Sequence, residues 1–196
     1  MDFIQPKAFV VSAPSGSGKT TIIQAAIRDN PDFVLSVSHT SRKPRKGERD
    51  GVDYYFVDED TFHGMIAQNA FLEWAEVHGN YYGTSIAEIR SLANQGKNVI
   101  LDIDVQGAQQ IRSNQQLVPV FIFIEPPSMD ELKRRLKNRE SETEETLEKR
   151  LNNARQELSF KDRYDYIIVN DTLERAVHEF VQIVKASGKQ TTAAMR

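Results

Sequence analysis

From Ala13 to Thr20 the chain reads Ala-Pro-Ser-Gly-Ser-Gly-Lys-Thr. This fits the phosphate-binding pattern G-x-x-x-x-G-K-[ST] at every position but the first, where Ala13 replaces glycine. Gly16 and Gly18 lack side chains, so backbone N–H groups can converge on phosphate oxygens, with Pro14, Ser15 and Ser17 completing the loop. Lys19 is placed to reach β- and γ-phosphates. The Thr20 hydroxyl suits Mg²⁺, and Thr21 continues the loop into a helix whose free N–H groups and dipole favour an anion. Ala13 costs little if its backbone sits at φ < 0. The chemistry is that of a bound nucleoside triphosphate.

Such a loop needs a strand before it and a helix after it. "AFVVSA" ends just before Pro14, and Thr20 to Arg28 has helical periodicity. Further short apolar runs, "NVILDI", "VPVFIFI" and "YDYIIVN", are continuous rather than alternating, as in parallel strands buried on both faces. Helical segments at Ala108 to Arg112, Ser128 to Asn138 and Leu173 to Ala186 separate or follow them. The alternation predicts a doubly wound α/β sheet.

Composition bounds the rest. The 196 residues suffice for one sizeable core with small inserted lobes. A net charge of −3 argues against a general nucleic-acid or acidic-membrane surface. With no cysteine, disulfides and thiol catalysis are excluded, and the 4 histidines lack metal-ligand spacing. The first residues do not read as a signal peptide, and no apolar run reaches membrane-spanning length, so a cytoplasmic location is expected.

Two stretches break the α/β rhythm. Residues 38–84 carry "SRKPRKGERDGVDYYFV", a helical pattern near Glu59 to Gln68, and two half-polar strands, "FLEWAEVH" and "NYYGTS". This reads as an inserted lobe with antiparallel pieces. Arg42, Lys43, Arg45, Lys46 and Arg49 crowd together there in an otherwise acidic chain, and arginine forks match phosphate. Tyr54, Tyr81 and Tyr82 add hydroxyls. On an alternating strand Phe71, Glu73 and Ala75 share a face, where a carboxylate needs a partner. The N1–H and N2–H₂ edge of guanine would supply two donors; adenine would present a lone pair. The bland alternatives are a solvated basic loop and a strand-edge glutamate in water. The second stretch, 129–155, is nearly all charged helix formers and reads as a helical hairpin, a candidate lid. The residues from Gly188 onward are expected to fray.

Taken together, "SAPSGSGKTT", "SHTSRKPRKGERDGVDYYFV", "FLEWAEVHGNYYGTS", "VILDIDVQGA", "FIFIEPPS", "RLKNRESETEETLEKRL" and "IIVND" resemble guanylate kinases of the bacterial type, in the same order and over nearly the whole chain. The resemblance implies a P-loop NTPase core of 1–37, 85–128 and 156–196, a GMP-binding lobe of 38–84 and a lid of 129–155. It implies that Ser38, Glu73, Thr84 and Asp104 contact guanine. Arg42, Arg45, Tyr54 and Tyr82 would hold the GMP phosphate. Arg135, Arg139 and Arg150 would close on ATP, and Asn170 would lie near the adenine, unless it only caps the last helix with Asp171. Asp102 resembles a Walker B aspartate reaching Mg²⁺ directly or through water.

The implied reaction moves the γ-phosphoryl of Mg·ATP to GMP or dGMP. No general base is needed, because the acceptor phosphate is already largely anionic at neutral pH. Lys19, Arg42, Arg139 and Arg150 would offset the charge that spreads over the transferring group, while Gly47, Gly51 and Gly83 give the lobe flexible points. ATP and GMP are the expected partners, with the chain a monomer or homodimer. Three rival readings are weaker. A GTPase would need an N-K-x-D, which is absent despite "DVQG". A phosphopeptide-binding scaffold domain would have a degraded loop and lost lid arginines. A ribose bisphosphate kinase would not need Glu73, Thr84 and Asp104.

Overall fold

The computed structural model describes residues 8–77, 79–114, 117–137 and 144–193, with side chains described as far as 187 in the last segment. Its centre is a five-stranded sheet in the order β2 (Phe33–Leu35), β7 (Asn98–Asp102), β1 (Ala8–Ser12), β8 (Val120–Glu125) and β9 (Tyr166–Val169). Every pairing in it is parallel.

The continuous apolar runs are explained by burial on both faces. Phe9, Val11, Ile100, Ile122 and Ile124 pack with Ile22, Ile23 and Ala26 of α1 (Lys19–Arg28) and with Ala176, Phe180 and Val184 of α7 (Leu173–Ala193). Their neighbours Ala8, Val10, Val99, Leu101, Phe121 and Phe123 pack on the other face. There they meet Ile86 and Ile89 of α3 (Ile86–Asn94) and Val105, Ala108 and Ile111 of α4 (Val105–Ser113). Successive residues thus alternate between two cores. Strand β2 is too short, at 3 residues, to stand out as a run.

A second sheet, in the order β4 (Tyr55–Phe56), β3 (His39–Thr40), β6 (Asn80–Ser85) and β5 (Phe71–Val77), lies within 38–84, with α2 (Glu59–Ala67) between β4 and β5. β5 and β6 are antiparallel as expected, whereas β3 and β4 pair in parallel. The expected alternation along β5 fails at one place. A bulge falls between Phe71 and Glu73, so Phe71 and Leu72 are both buried and the register restarts at Glu73. Gly83 is not a flexible point. It lies buried in β6, and a Cβ there would come within 2.9 Å of Phe71 and 3.1 Å of Phe62. Gly47 and Gly51, at φ 94° and 71°, do form turns.

Helices α5 (Met129–Lys137) and α6 (Glu144–Leu158) bury Leu132, Leu136, Leu147, Leu151 and Ala154 in a small cluster of their own. The last helix runs past Gly188 and ends at Ala193. Each added residue continues an existing hydrogen-bond ladder, so extension needs no new nucleus. Among the described residues no helix is long and apolar enough to cross a membrane.

Candidate active site

The strands of the central sheet deliver their C-terminal ends to one edge, where ligands of open α/β sheets bind. β1 leads into residues 13–18, and β7 ends at Asp102, in register with Val11. Asp104 follows two residues later, and β9 ends beside Asn170. The loop has the geometry its glycines allow. Gly16 and Gly18 sit at φ 90° and 88°. Gly18 is the N-cap of α1 and supplies no side-chain cap, so the first N–H groups of the helix keep their capacity for an anion. Asn69 is the one non-glycine with positive φ among the described residues, so Ala13 takes an ordinary conformation in place of glycine.

A cavity of about 340 Å³ is lined by Ala13, Pro14, Ser15, Gly16, Gly18, Lys19, Thr20 and Thr21, and also by Asp104 and Glu157. The Lys19 ammonium pairs with the Asp102 carboxylate. Thr20 is exposed beside them. Among the described residues no three acidic or histidine side chains cluster to cage a metal. Thr20 and Asp102 instead fit Mg²⁺, which keeps waters and takes most oxygens from nucleotide phosphates.

Asn170 is 7% exposed, and its Nδ2 donates to the Ser17 carbonyl at 2.7 Å. It therefore ties the loop to β9, while Asp171 alone accepts from the Thr172 N–H and pairs with Arg175. Asn170→Ala leaves the Ser17 carbonyl short of its donor. We expect a stability loss of about 1–3 kcal/mol in chemical denaturation and a KM for ATP that rises more than that for GMP.

Helices α5 and α6 lie against the same loop. A Cβ at Gly16 would come within 2.8 Å of Leu136 and 3.1 Å of Leu132, so only glycine admits this approach. Arg150 donates to Ser15 Oγ at 2.7 Å, and Glu157, two turns on, lines the same cavity. Burial raises the Glu157 carboxyl above its ordinary range, with the nearby Ser15 backbone N–H and Lys19 opposing. Arg135 pairs with Glu131 at 2.8 Å and donates to the Asn170 carbonyl at 3.0 Å. Bonds from Arg134 and Arg135 hold the Glu131 carboxyl down at about 2. Arg139, with Glu140 and Glu142, lies outside the described residues.

In the second sheet, Thr84 and Glu73 are cross-strand partners, and the Thr84 hydroxyl donates to Glu73 Oε1 at 2.6 Å. Burial pushes the Glu73 carboxyl up to about 7; the Thr84 bond opposes this and the nearby Asp104 adds to it. Glu73 Oε2 lies 3.1 Å from where a Cβ on Gly107 would stand. Asp104 caps α4 through bonds from the Gln106 and Gly107 N–H groups. Ser38 precedes β3 and is half-buried.

Tyr54 and Tyr82 meet edge to face at 5.9 Å, and Arg42 lies over the Tyr54 ring. Arg45 is exposed nearby. The predicted residues thus form two groups at one sheet edge, with Asp104 common to the loop cavity and the Glu73 surroundings. Sequence reasoning missed Glu48, which pairs with Arg42, and Glu157. Glu48 is the one acid inside the basic run, and Glu157 shares a helix face with Arg150; both signals were available.

Comparisons with known proteins agree with this geometry. The family model for guanylate kinase matches residues 5–187. Guanylate kinase of Syntrophotalea carbinolica is 50% identical over 182 residues, covering 92% of this chain and 85% of the relative. That of Geobacter sulfurreducens is 46% identical over 187 residues, covering 95% and 92%. The crystal structure of guanylate kinase from Anaplasma phagocytophilum superposes with a TM-score of 0.69 at 35% identity, over 92% of this chain and 85% of that one. A phosphate loop, a buried carboxylate and an arginine–tyrosine cluster meet at one sheet edge, and sequence and fold match the same enzymes: the chain belongs to the guanylate kinase family.

Proposed function

We propose that this enzyme transfers the γ-phosphoryl of ATP to the phosphate of GMP or dGMP, releasing ADP and GDP or dGDP, in cytoplasmic purine nucleotide metabolism. The observation that carries this reading is Glu73. It is a buried carboxylate with one hydroxyl donor, Thr84, and spare acceptor capacity beside Asp104. Guanine brings two donors to such a group, while adenine brings an acceptor and leaves the carboxylate unsatisfied. Ser38, Thr84 and Asp104 complete the base contacts in this reading. Arg42, Arg45, Tyr54 and Tyr82 hold the acceptor phosphate.

On the donor side, Ala13 to Thr21 cradle the phosphates and Lys19 reaches across the transferring group. Mg²⁺, held by Thr20 and Asp102 with nucleotide oxygens, would neutralise phosphate charge. Residues 129–155 act as the lid. Its own small core lets α5 and α6 move as a unit, and the contacts of Leu132, Leu136 and Arg150 with the loop give it a docking surface. Arg135, Arg139 and Arg150 close over ATP, with Asn170 bracing the loop near the adenine. Closure excludes water, which would otherwise hydrolyse ATP. In this reading the core of 1–37, 85–128 and 156–196 is the frame between the lid and the acceptor lobe of 38–84.

The test is ADP formation from ATP with GMP, dGMP, AMP, CMP, UMP or ribose 1,5-bisphosphate as acceptor. ADP is expected with GMP and, more slowly, dGMP. ADP with the sugar phosphate but not GMP would overturn the acceptor assignment and leave the donor side standing. Binding of GMP or ATP without ADP formation would overturn the reaction itself.

A further inference from the structure

The basic run of the acceptor lobe contains one acid, Glu48, and the reading of Arg42 as a phosphate contact gives it no role. Its contacts are specific. Glu48 Oε1 accepts from Arg42 Nη2 at 2.9 Å, and Oε2 accepts from Arg42 Nη1 at 3.0 Å. Oε2 also accepts the Arg45 backbone N–H at 2.7 Å, while the Glu48 N–H returns to the Arg45 carbonyl at 3.1 Å. Gly47, at φ 94°, makes the turn that this closure requires. The Glu48 carboxylate is therefore bolted to its own loop before it touches Arg42. Both side chains are mostly buried, at 13% and 21% exposure for Arg42 and Glu48.

Counting the guanidinium hydrogens shows what this leaves. On Nη1, one goes to the Lys43 carbonyl at 2.8 Å and one to Glu48; on Nη2, one goes to Glu48. The Nε hydrogen and the second Nη2 hydrogen remain. They form the side-on edge, which matches two phosphate oxygens as well as the end-on edge does. The Tyr54 and Phe56 rings, 5.4 and 5.8 Å from Arg42 Cζ, limit its tilt.

We propose that Glu48 is a positioning residue for the acceptor: its carboxylate holds the end-on edge of Arg42, so that the side-on edge is left for the acceptor's phosphate. An anion that merely filled the phosphate subsite would have to leave when the nucleotide arrived. The Glu48 carboxylate can swing away only by also giving up the Arg45 N–H, which would leave that turn donor without its acceptor. The Arg42 bonds also hold its carboxyl below the ordinary range, so it stays ionised throughout the neutral region. The inference rests on Arg42 contacting the acceptor phosphate.

The experiment measures KM for GMP, KM for ATP, kcat and competitive inhibition by guanosine in Glu48→Gln, Glu48→Ala, Arg42→Ala and the Arg42→Ala/Glu48→Gln double variant. Guanosine has the base and lacks the phosphate, so it reports the Glu73 region alone. Glu48→Gln is expected to raise KM for GMP about tenfold, with kcat and the other two constants within about threefold of wild type. Glu48→Ala should move KM for GMP further in the same direction. In the Arg42→Ala background, Glu48→Gln should add nothing, because its effect passes through Arg42. A lower KM for GMP in Glu48→Gln would make Glu48 a competitor and overturn the proposal. So would equal weakening of guanosine and GMP, which is loss of loop structure, or no change at all. If Arg42→Ala itself leaves KM for GMP unchanged, the phosphate subsite is misassigned and the failure lies there.

Discussion

Lys19→Ala is expected to abolish phosphoryl transfer while the protein stays folded. Lys19 opens α1, lines the loop cavity and pairs with Asp102. Neither partner is deep: their side chains are 18% and 32% exposed. An ion pair with that much water around it adds little to stability, so its loss leaves the melting temperature within a few degrees of wild type. Catalysis is another matter. Phosphoryl transfer needs no covalent help from the protein and depends on cations placed where charge develops. If Lys19 is one of those cations, as proposed, removing it should lower kcat/KM by roughly a thousandfold or more. Asp102, left without its cation, then adds repulsion toward the incoming phosphates. The check is coupled ADP release alongside thermal melting. Turnover within tenfold of wild type would show that the loop is not the donor site.

How much of this was legible without coordinates follows from which interactions are local. The phosphate loop was legible because strand, glycines, lysine and helix follow one another without interruption. The parallel strands were legible because a strand covered on both faces has no polar side to disguise it, as Phe9-Val10-Val11 shows by dividing between two cores. The acceptor lobe announced itself by a change of composition. What stayed hidden joins residues far apart in the chain. Asn170 bonding the Ser17 carbonyl spans 153 positions, and nothing near either residue specifies the other. Arg150 bonding Ser15, 135 positions apart, is the same case. The bulge at Phe71 to Glu73 was missed for a different reason: a period-two pattern assumes a regular ladder, and one extra residue inverts it. Gly83 looked like a hinge because glycine is ambiguous in sequence. Only the neighbouring Phe71 and Phe62 rings show that it is there for closeness.

The buried carboxylate of Glu73 sets function against stability, and Glu73→Gln should separate the two. Burial raises its carboxyl from an ordinary 4.5 to about 7. The folded state therefore holds the proton more tightly than the unfolded chain does. The resulting stability is fully present below pH 4.5 and is lost as pH rises toward 7. At about 1.4 kcal/mol per pH unit, the loss approaches roughly 3 kcal/mol above pH 7, an upper figure because Thr84 and solvent relaxation soften it. A glutamine does not titrate. Glu73→Gln should therefore match wild type in melting experiments near pH 5 and exceed it at pH 8. Function runs the other way. The ionised carboxylate accepts both donors of the guanine edge, whereas the amide sets an NH₂ group against one of them. Losing a charge-assisted bond and gaining a donor–donor clash should weaken GMP by roughly a hundredfold and narrow the preference over AMP. Guanosine separates this from the titration of the GMP phosphate: its affinity for wild type should rise with pH through about 7 and stay flat in the variant. A wild-type guanosine profile without that rise, or a variant that melts like wild type at both pH values, would mean that Glu73 is already paired and is not the group that reads the base.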